Sequence, residues 1–198
     1  MEQERTLINK ILQGNLRAFQ GLIEKYQNLV THIVFRLISN FNDREDVCHE
    51  VFIKVYQNLK NFKFQSKLST WIGRIAYNTA INHMRKERIP LYDDIKPNYD
   101  KDTDNEFISA PLNSVQTEYP NPDEVIEKKD RTELIQKQME KLSAPYRTIL
   151  TLYHLDQLSY QEIGEIMNLP EGTVKSYLFR GRKKLKENLV GELEGEEI

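Results

Sequence analysis

The chain has 198 residues, 29% of them charged, with 28 Lys and Arg against 30 Asp and Glu and a net charge of -2. That length holds one large or two small domains with buried cores, and the near balance of charge excludes a global attraction to nucleic acid, so any basic surface has to be local. A single cysteine, Cys48, excludes an internal disulfide and a multi-thiolate zinc site, no apolar run reaches the length of a membrane span, and the start MEQERTLINK lacks a signal-peptide core. We therefore expect a soluble intracellular protein with no membrane insertion, metal or cofactor.

From the N-terminus, Leu12, Phe19, Leu22, Ile23, Tyr26, Leu29, Val30, Ile33, Val34 and Leu37 keep three-to-four spacing, interrupted near Gly14 and Asn15, which predicts a short helix and then a longer one. Asn40 to Asp43 reads as a break and cap. Val47, Val51, Val55 and Leu59 form the stripe of a third helix, widened by Phe52 and Tyr56, with Asp46, Glu50, Lys54 and Gln57 on its opposite side. A basic, aromatic loop follows from Lys60 to Lys67. Ser69 or Thr70 can cap a fourth helix whose inward set is Ile72, Ile75, Ala76 and Thr79 and which ends near Lys86. The chain then changes character. Residues 90 to 121 are rich in Pro, Asp and Asn without periodicity, and from Leu91 to Asp130 there are eleven acids against four bases, which predicts a flexible acidic linker. Helices resume at 122–142 and 145–155, so the expected organisation is all-α, with small helical domains at 1–89 and 122–198.

Residues 159 to 186, SYQEIGEIMNLPEGTVKSYLFRGRKKLK, predict two helices and a tight turn. Ser159 and Glu162 stand at capping-box spacing before Ile163, Ile166 and Met167, and Asn168, Leu169 and Pro170 stop that helix while Pro170 suits the first turn of the next. In the second helix Val174, Leu178, Leu185 and Leu189 face one way. Gly172, Thr173, Lys175, Ser176, Arg180, Arg182, Lys183 and Lys184 face outward, and residues 171 to 189 hold six cations against two anions, Glu171 and Glu187. A helix entering a major groove needs small polar residues at its start to reach base edges and cations further along for phosphate, and this helix supplies both.

A second nucleic-acid signal lies between Lys60 and Arg88, with seven cations against one anion, Glu87. Phe62, Phe64 and Trp71 lie among Lys60, Lys63, Lys67 and Arg74, and Asn78, Asn82 and Arg85 continue along the next helix. Aromatic rings that take unstacked bases beside cations that follow a backbone are how single strands are bound.

Three segments in this order resemble the extracytoplasmic-function group of bacterial sigma factors, the promoter-recognition subunits of RNA polymerase. NDREDVCHEVFIKVYQNLKNF (42 to 62) is similar to the polymerase-binding helix of the second conserved region, STWIGRIAYNTAINHMRKE (69 to 87) to its promoter-melting segment, and LSAPYRTILTLYHLDQLSYQEIGEIMNLPEGTVKSYLFRGRKKLKE (142 to 187) to the fourth conserved region. The resemblance implies that Asp46, Val47, Glu50, Phe52 and Lys54 meet the β′ clamp helices of the polymerase. It implies that Phe62, Lys63, Phe64 and the rest of the 61 to 68 loop, with Asn78, receive a flipped base of the -10 element, while Lys67, Thr70, Trp71, Arg74, Arg85 and Lys86 hold the adjacent strand. Glu171, Gly172, Thr173, Lys175, Ser176, Arg180, Arg182 and Lys183 would belong to the -35 reader within the helix-turn-helix of 159–180. Core polymerase (β′ and β subunits), promoter DNA and an anti-sigma factor are the partners it implies, in a bacterial cytoplasm. The chain departs from the family pattern at Tyr177, Phe179 and Cys48.

A response-regulator type of helix-turn-helix protein would share a GTVKS-like helix start, but its receiver domain needs strands and a phosphoacceptor Asp at a strand end, which residues 1 to 90 do not offer. An enzyme fits less well. The four histidines (His32, His49, His83, His154) are scattered, and there is no Gly-rich phosphate loop or nucleophile elbow.

Overall fold

The computed structural model describes residues 2–87 and 133–195, and among these every regular element is helical. The expected linker and residues 122–132 lie outside the described residues. The elements are α1 (Glu2–Leu12), α2 (Leu16–Leu37), α3 (Phe41–Asn58), a 3-10 turn (Leu59–Asn61), α4 (Leu68–Glu87), α5 (133–140), α6 (Ala144–His154), α7 (Tyr160–Met167) and α8 (Glu171–Gly195).

The break expected at Gly14 and Asn15 is a built turn. Gly14 has a φ of 86°, a left-handed conformation that suits glycine, and the Asn15 side chain accepts the Ala18 N–H at 3.0 Å to cap α2. Leu22, Tyr26, Leu29, Val30, Ile33, Val34 and Leu37 then run down the buried face of α2 at helical spacing. Asn40 caps α3 by accepting the Asn42 N–H at 3.1 Å. Val47, Val51, Val55 and Leu59 form the expected core stripe, but Tyr56 stands 43% exposed, its ring edge-on to Phe19 at 4.9 Å.

The fourth helix begins at Leu68, earlier than a Ser69 or Thr70 cap would place it. Leu68 is fully buried, and that anchors the first turn one residue ahead of the polar pair. Thr70 consequently sits inside the helix at 2% exposure, its hydroxyl without a hydrogen-bond partner. Ile72, Ala76 and Thr79 point inward as the pattern requires.

The two halves of the chain are packed together. Helix α6 lies on α2, and α7 lies on α4, so that one apolar core runs from Ile8 to Leu178. Close packing at this seam depends on Gly73, where a Cβ would stand 2.8 Å from Ile166 Cδ1. Polar contacts rim it. Lys67 pairs with Glu162 at 2.8 Å, His32 Nδ1 lies 2.9 Å from an Asp156 carboxylate oxygen, and Arg36 Nε donates to Thr151 Oγ1 at 3.0 Å.

Candidate nucleic-acid interface

The helix-turn-helix is specified locally. Ser159 Oγ accepts the Glu162 N–H at 3.3 Å, while the Glu162 carboxylate accepts the Ser159 N–H at 2.9 Å and its hydroxyl at 2.8 Å, so both halves of the capping box are made. Although burial opposes it, contacts from Lys67 and Ser159 hold the Glu162 carboxyl below its ordinary pKa. Asn168 ends α7 in the left-handed conformation (φ 55°), and the Leu169 N–H returns to Gly164 O at 2.9 Å. Gly164 is what lets that turn close, since a Cβ there would lie 2.7 Å from Leu169 O, a backbone atom that cannot move aside. Val174 and Leu178 then bury the inner side of α8 against α6 and α7.

With that side fixed, the outer side of α8 is determined. Glu171, Gly172, Lys175, Ser176, Arg180, Arg182 and Lys183 are all exposed, and only Thr173 is half-buried. Ser176 Oγ donates back to Gly172 O at 3.0 Å, and Lys175 pairs with Glu171 at 2.9 Å, so both exposed side chains are held at defined positions in the first two turns. An aromatic shelf, not foreseen in the sequence, supports the cations. Tyr153 and Tyr160 stack at 5.3 Å, the Arg182 guanidinium lies 5.1 Å over Tyr153, and the Lys175 ammonium lies 5.5 Å over Tyr160. His154, its pKa lowered by burial and then by the charge of Arg182, accepts from Arg182 Nε at 3.3 Å. The one cue in the sequence was two tyrosines at 153 and 160 flanking the break before Ser159.

The second site divides into a supporting set and an outward set. Phe62 is buried at 7% exposure and packs under Phe64 (4.7 Å) and Trp71 (5.3 Å), so it holds the loop up and is not itself open to a base. Phe64, half-buried, takes a left-handed backbone (φ 56°) that turns its ring outward of Phe62, and the Arg5 guanidinium covers it at 5.0 Å. Thr70 is enclosed and Lys67 is held by Glu162, so neither reaches freely outward in this arrangement. What α4 does present is a continuous exposed stripe, Arg74, Asn78, Asn82 and Arg85, flanked by Trp71, Lys63 and Lys86.

On α3, Asp46 is exposed, and Glu50 and Lys54 pair at 2.7 Å, the hydrogen bond from Lys54 pulling the Glu50 carboxyl down. Lys54 also donates to Thr79 Oγ1 at 3.3 Å. Val47 and Phe52 are a correction to the expected polymerase contact. At 1% and 9% exposure they belong to the core, where the Val47–Val51–Val55 stripe puts them, and they orient α3 without facing a partner. Beside Asp46 and Glu50 the surface instead offers Ile53 at 56% exposure and Tyr56 at 43%.

These two outward faces lie on an all-helical scaffold, one in each half of the chain, and each half matches a known family. The family model for Sigma-70 region 2 matches residues 22–89, and that for Sigma-70 region 4 matches residues 132–185. The ECF RNA polymerase sigma factor SigW of Bacillus subtilis is 32% identical over 185 residues, covering 92% of this chain and 94% of that protein. The ECF RNA polymerase sigma-E factor of Haemophilus influenzae is 33% identical over 187 residues, covering 94% and 95%. Among solved structures, that of CnrH in complex with the cytosolic domain of CnrY superposes with a TM-score of 0.60 at 18% identity, covering 94% of this chain and 97% of that one. The sigma factor RpoE in complex with the anti-sigma factor NepR from Bartonella quintana gives 0.59 at 23% identity, covering 86% and 96%. The fold is shared with both. The chain belongs to the ECF group of the sigma-70 family, and as a sigma factor it directs transcription initiation by RNA polymerase. The response-regulator alternative has no counterpart here, since no strand occurs among the described residues.

Proposed function

We propose that α8 reads the -35 element as duplex, and that the 61–68 loop with the Arg74–Asn78–Asn82–Arg85 stripe of α4 captures a flipped base and the adjacent strand of the -10 element. The observation that carries this reading is the division of α8 into an inner side buried at Val174 and Leu178 and an outer side of small polar groups and supported cations. Gly172, Lys175 and Ser176 reach base edges, and Arg180, Arg182 and Lys183 neutralise phosphate. On α4 a flipped base costs a few kcal/mol of unstacking, roughly what one stacking contact of about 1–3 kcal/mol returns, so capture needs Phe64 and Asn78 together with cations on the backbone. Asp46 and Glu50, with Ile53 and Tyr56 further along α3, dock against the β′ clamp helices. The protein works without catalytic chemistry of its own, in the cytoplasm, and an anti-sigma factor is its regulatory partner, as it is for the Bartonella RpoE whose fold it shares.

The test is in vitro transcription with core polymerase on a genomic fragment library, with and without the protein. New specific starts are expected, and their absence would defeat the reading. On a promoter so found, Asn78→Ala and Phe64→Ala should suppress permanganate reactivity of -10 thymines while leaving the -35 footprint intact. Normal opening in both variants removes the capture pocket from this account.

A further inference from the structure

Between α2, α5 and α6, on the seam where the halves meet, is a cavity of about 350 Å3 walled by three arginines from three separate helices: Arg36 of α2, Arg44 of α3 and Arg147 of α6. We propose that this cavity is a binding site for a small phosphate-bearing anion of the size of a pyrophosphate or a nucleoside diphosphate, formed only while the two halves are packed together.

The donor inventory points to an anion. A guanidinium carries five N–H groups in a planar fork. Arg36 spends Nε on Thr151 Oγ1 at 3.0 Å, and Arg44 spends Nε on Ile38 O at 3.0 Å while its plane covers Phe35 at 4.9 Å. Arg147 spends Nη1 on Glu140 O at 3.0 Å and Nη2 on Arg36 O at 2.9 Å, and its Nε is buried with no partner. All three rotamers are thus fixed by backbone or hydroxyl contacts that satisfy no charge. Among the described residues none of the three makes an ion pair, and Glu140, the one carboxylate lining the cavity, is exposed. Burial pulls the Arg36 and Arg147 guanidiniums below their ordinary pKa, neighbouring guanidiniums add to the effect, and the Glu140 carboxylate opposes it only in part. Three guanidiniums held at close quarters against a single exposed carboxylate leave positive charge in excess, which is unfavourable unless an anion enters.

The class of anion follows from the walls. Three guanidiniums against one exposed carboxylate leave an excess of positive charge that suits a dianion or trianion better than a single carboxylate, and guanidinium forks match phosphate oxygens two at a time. Thr31, Ser39 and Gln136 complete the lining with neutral donors and acceptors fit for sugar hydroxyls. His32, also on the wall, is committed to Asp156. Because α2 and α6 come from different halves of the chain, an occupant touching Arg36 and Arg147 together favours the packed arrangement by the free energy of its binding.

The experiment titrates the full chain with pyrophosphate, adenosine diphosphate and guanosine diphosphate by calorimetry, with sulfate at matched ionic strength as the reference, and repeats it on Arg44→Ala and Arg36→Gln after circular dichroism has shown unchanged helicity. Binding of pyrophosphate or a diphosphate well above sulfate, weakened tenfold or more in both variants, is the expected result. Tighter binding of a nucleotide than of pyrophosphate assigns the base and sugar to the remaining volume; equal binding assigns the site to phosphate alone. No binding beyond sulfate, or binding that both variants retain, overturns the proposal.

Discussion

Gly73 offers the most direct handle on the packed arrangement. A Cβ at this position would lie 2.8 Å from Ile166 Cδ1 and 3.1 Å from its Cγ1, and both atoms belong to the opposite half, whereas the nearest atom on its own side, Ile33 Cδ1, is at an ordinary 3.5 Å. Replacing glycine inside a helix gains about 1 kcal/mol, but that gain is the same whether α7 is docked on α4 or not, so it cancels from the open–closed equilibrium. The clash does not cancel. In Gly73→Ala the far end of the Ile166 side chain can shift, and little opening is expected. Gly73→Leu adds three more carbons against a side chain that is fully buried, and overpacking of this kind costs about 1–3 kcal/mol. Because only the closed form bears that cost, the open fraction should rise about 5- to 150-fold. Small-angle scattering should then report a larger radius for G73L, and a single-stranded -10 oligonucleotide should bind it more tightly, since Lys67 is released from Glu162. Adding Ile166→Val, which removes the atom that clashes, should recover part of the compaction. If G73L keeps the wild-type radius and merely melts lower, the glycine is not what allows the two helices to meet, and the account of the seam is wrong.

Three further outcomes can be checked. Ile53→Asp should weaken binding to core polymerase in a pull-down titration while leaving stability within about 0.5 kcal/mol, because the side chain is 56% exposed; Val47→Asp should instead unfold the N-terminal half by burying an unpaired carboxylate, and unchanged core affinity in Ile53→Asp would move the contact off α3. Arg180→Ala or Lys183→Ala should weaken DNA binding across all sequences and reduce the salt slope by about one, whereas Lys175→Ala should change which -35 sequences a selection recovers; wild-type preferences in Lys175→Ala would refute its base-reading role. Lys137 and Lys141, at 2.6 and 2.9 Å, hold the Glu192 carboxyl down at about 2, so the tie between α5 and the end of α8 is complete above the carboxyl's ordinary 4.5 and is lost as pH falls from there toward 2. Hydrogen exchange of the last turns of α8 should therefore speed up on acidification relative to the rest of the helix in wild type but not in Glu192→Gln; equal behaviour of the two would show that the pair does not hold the helix end.

What the sequence revealed and what it hid follow from the range of the interactions involved. The capping box of Ser159 and Glu162, the Asn168 stop and the Val174–Leu178 stripe act over three to five residues, and each leaves a local pattern that the structure reproduces. At Val47 and Phe52, periodicity and resemblance gave different answers, because a segment that contacts a partner also needs residues that hold it in place. Burial sides with periodicity at both, and Phe62, which lies in no periodic stripe, is buried as well. The seam left no periodic trace, since Lys67 and Glu162, or His32 and Asp156, meet from positions far apart in the chain. Its one local sign was a glycine in the second turn of α4, which costs helix stability and so signals a close approach by something else. That approach is selective in what it covers. Glu162 of α7 engages Lys67 just before α4, in whose first turn Thr70 is buried, yet Arg74, Asn78, Asn82 and Arg85 remain outward, as does the outer side of α8. Closing the halves therefore engages Lys67 while leaving the exposed stripe of α4 and the outer side of α8 open, and it fixes the distance between them until the contacts around Gly73, the Lys67–Glu162 and His32–Asp156 pairs and the arginine cavity give way.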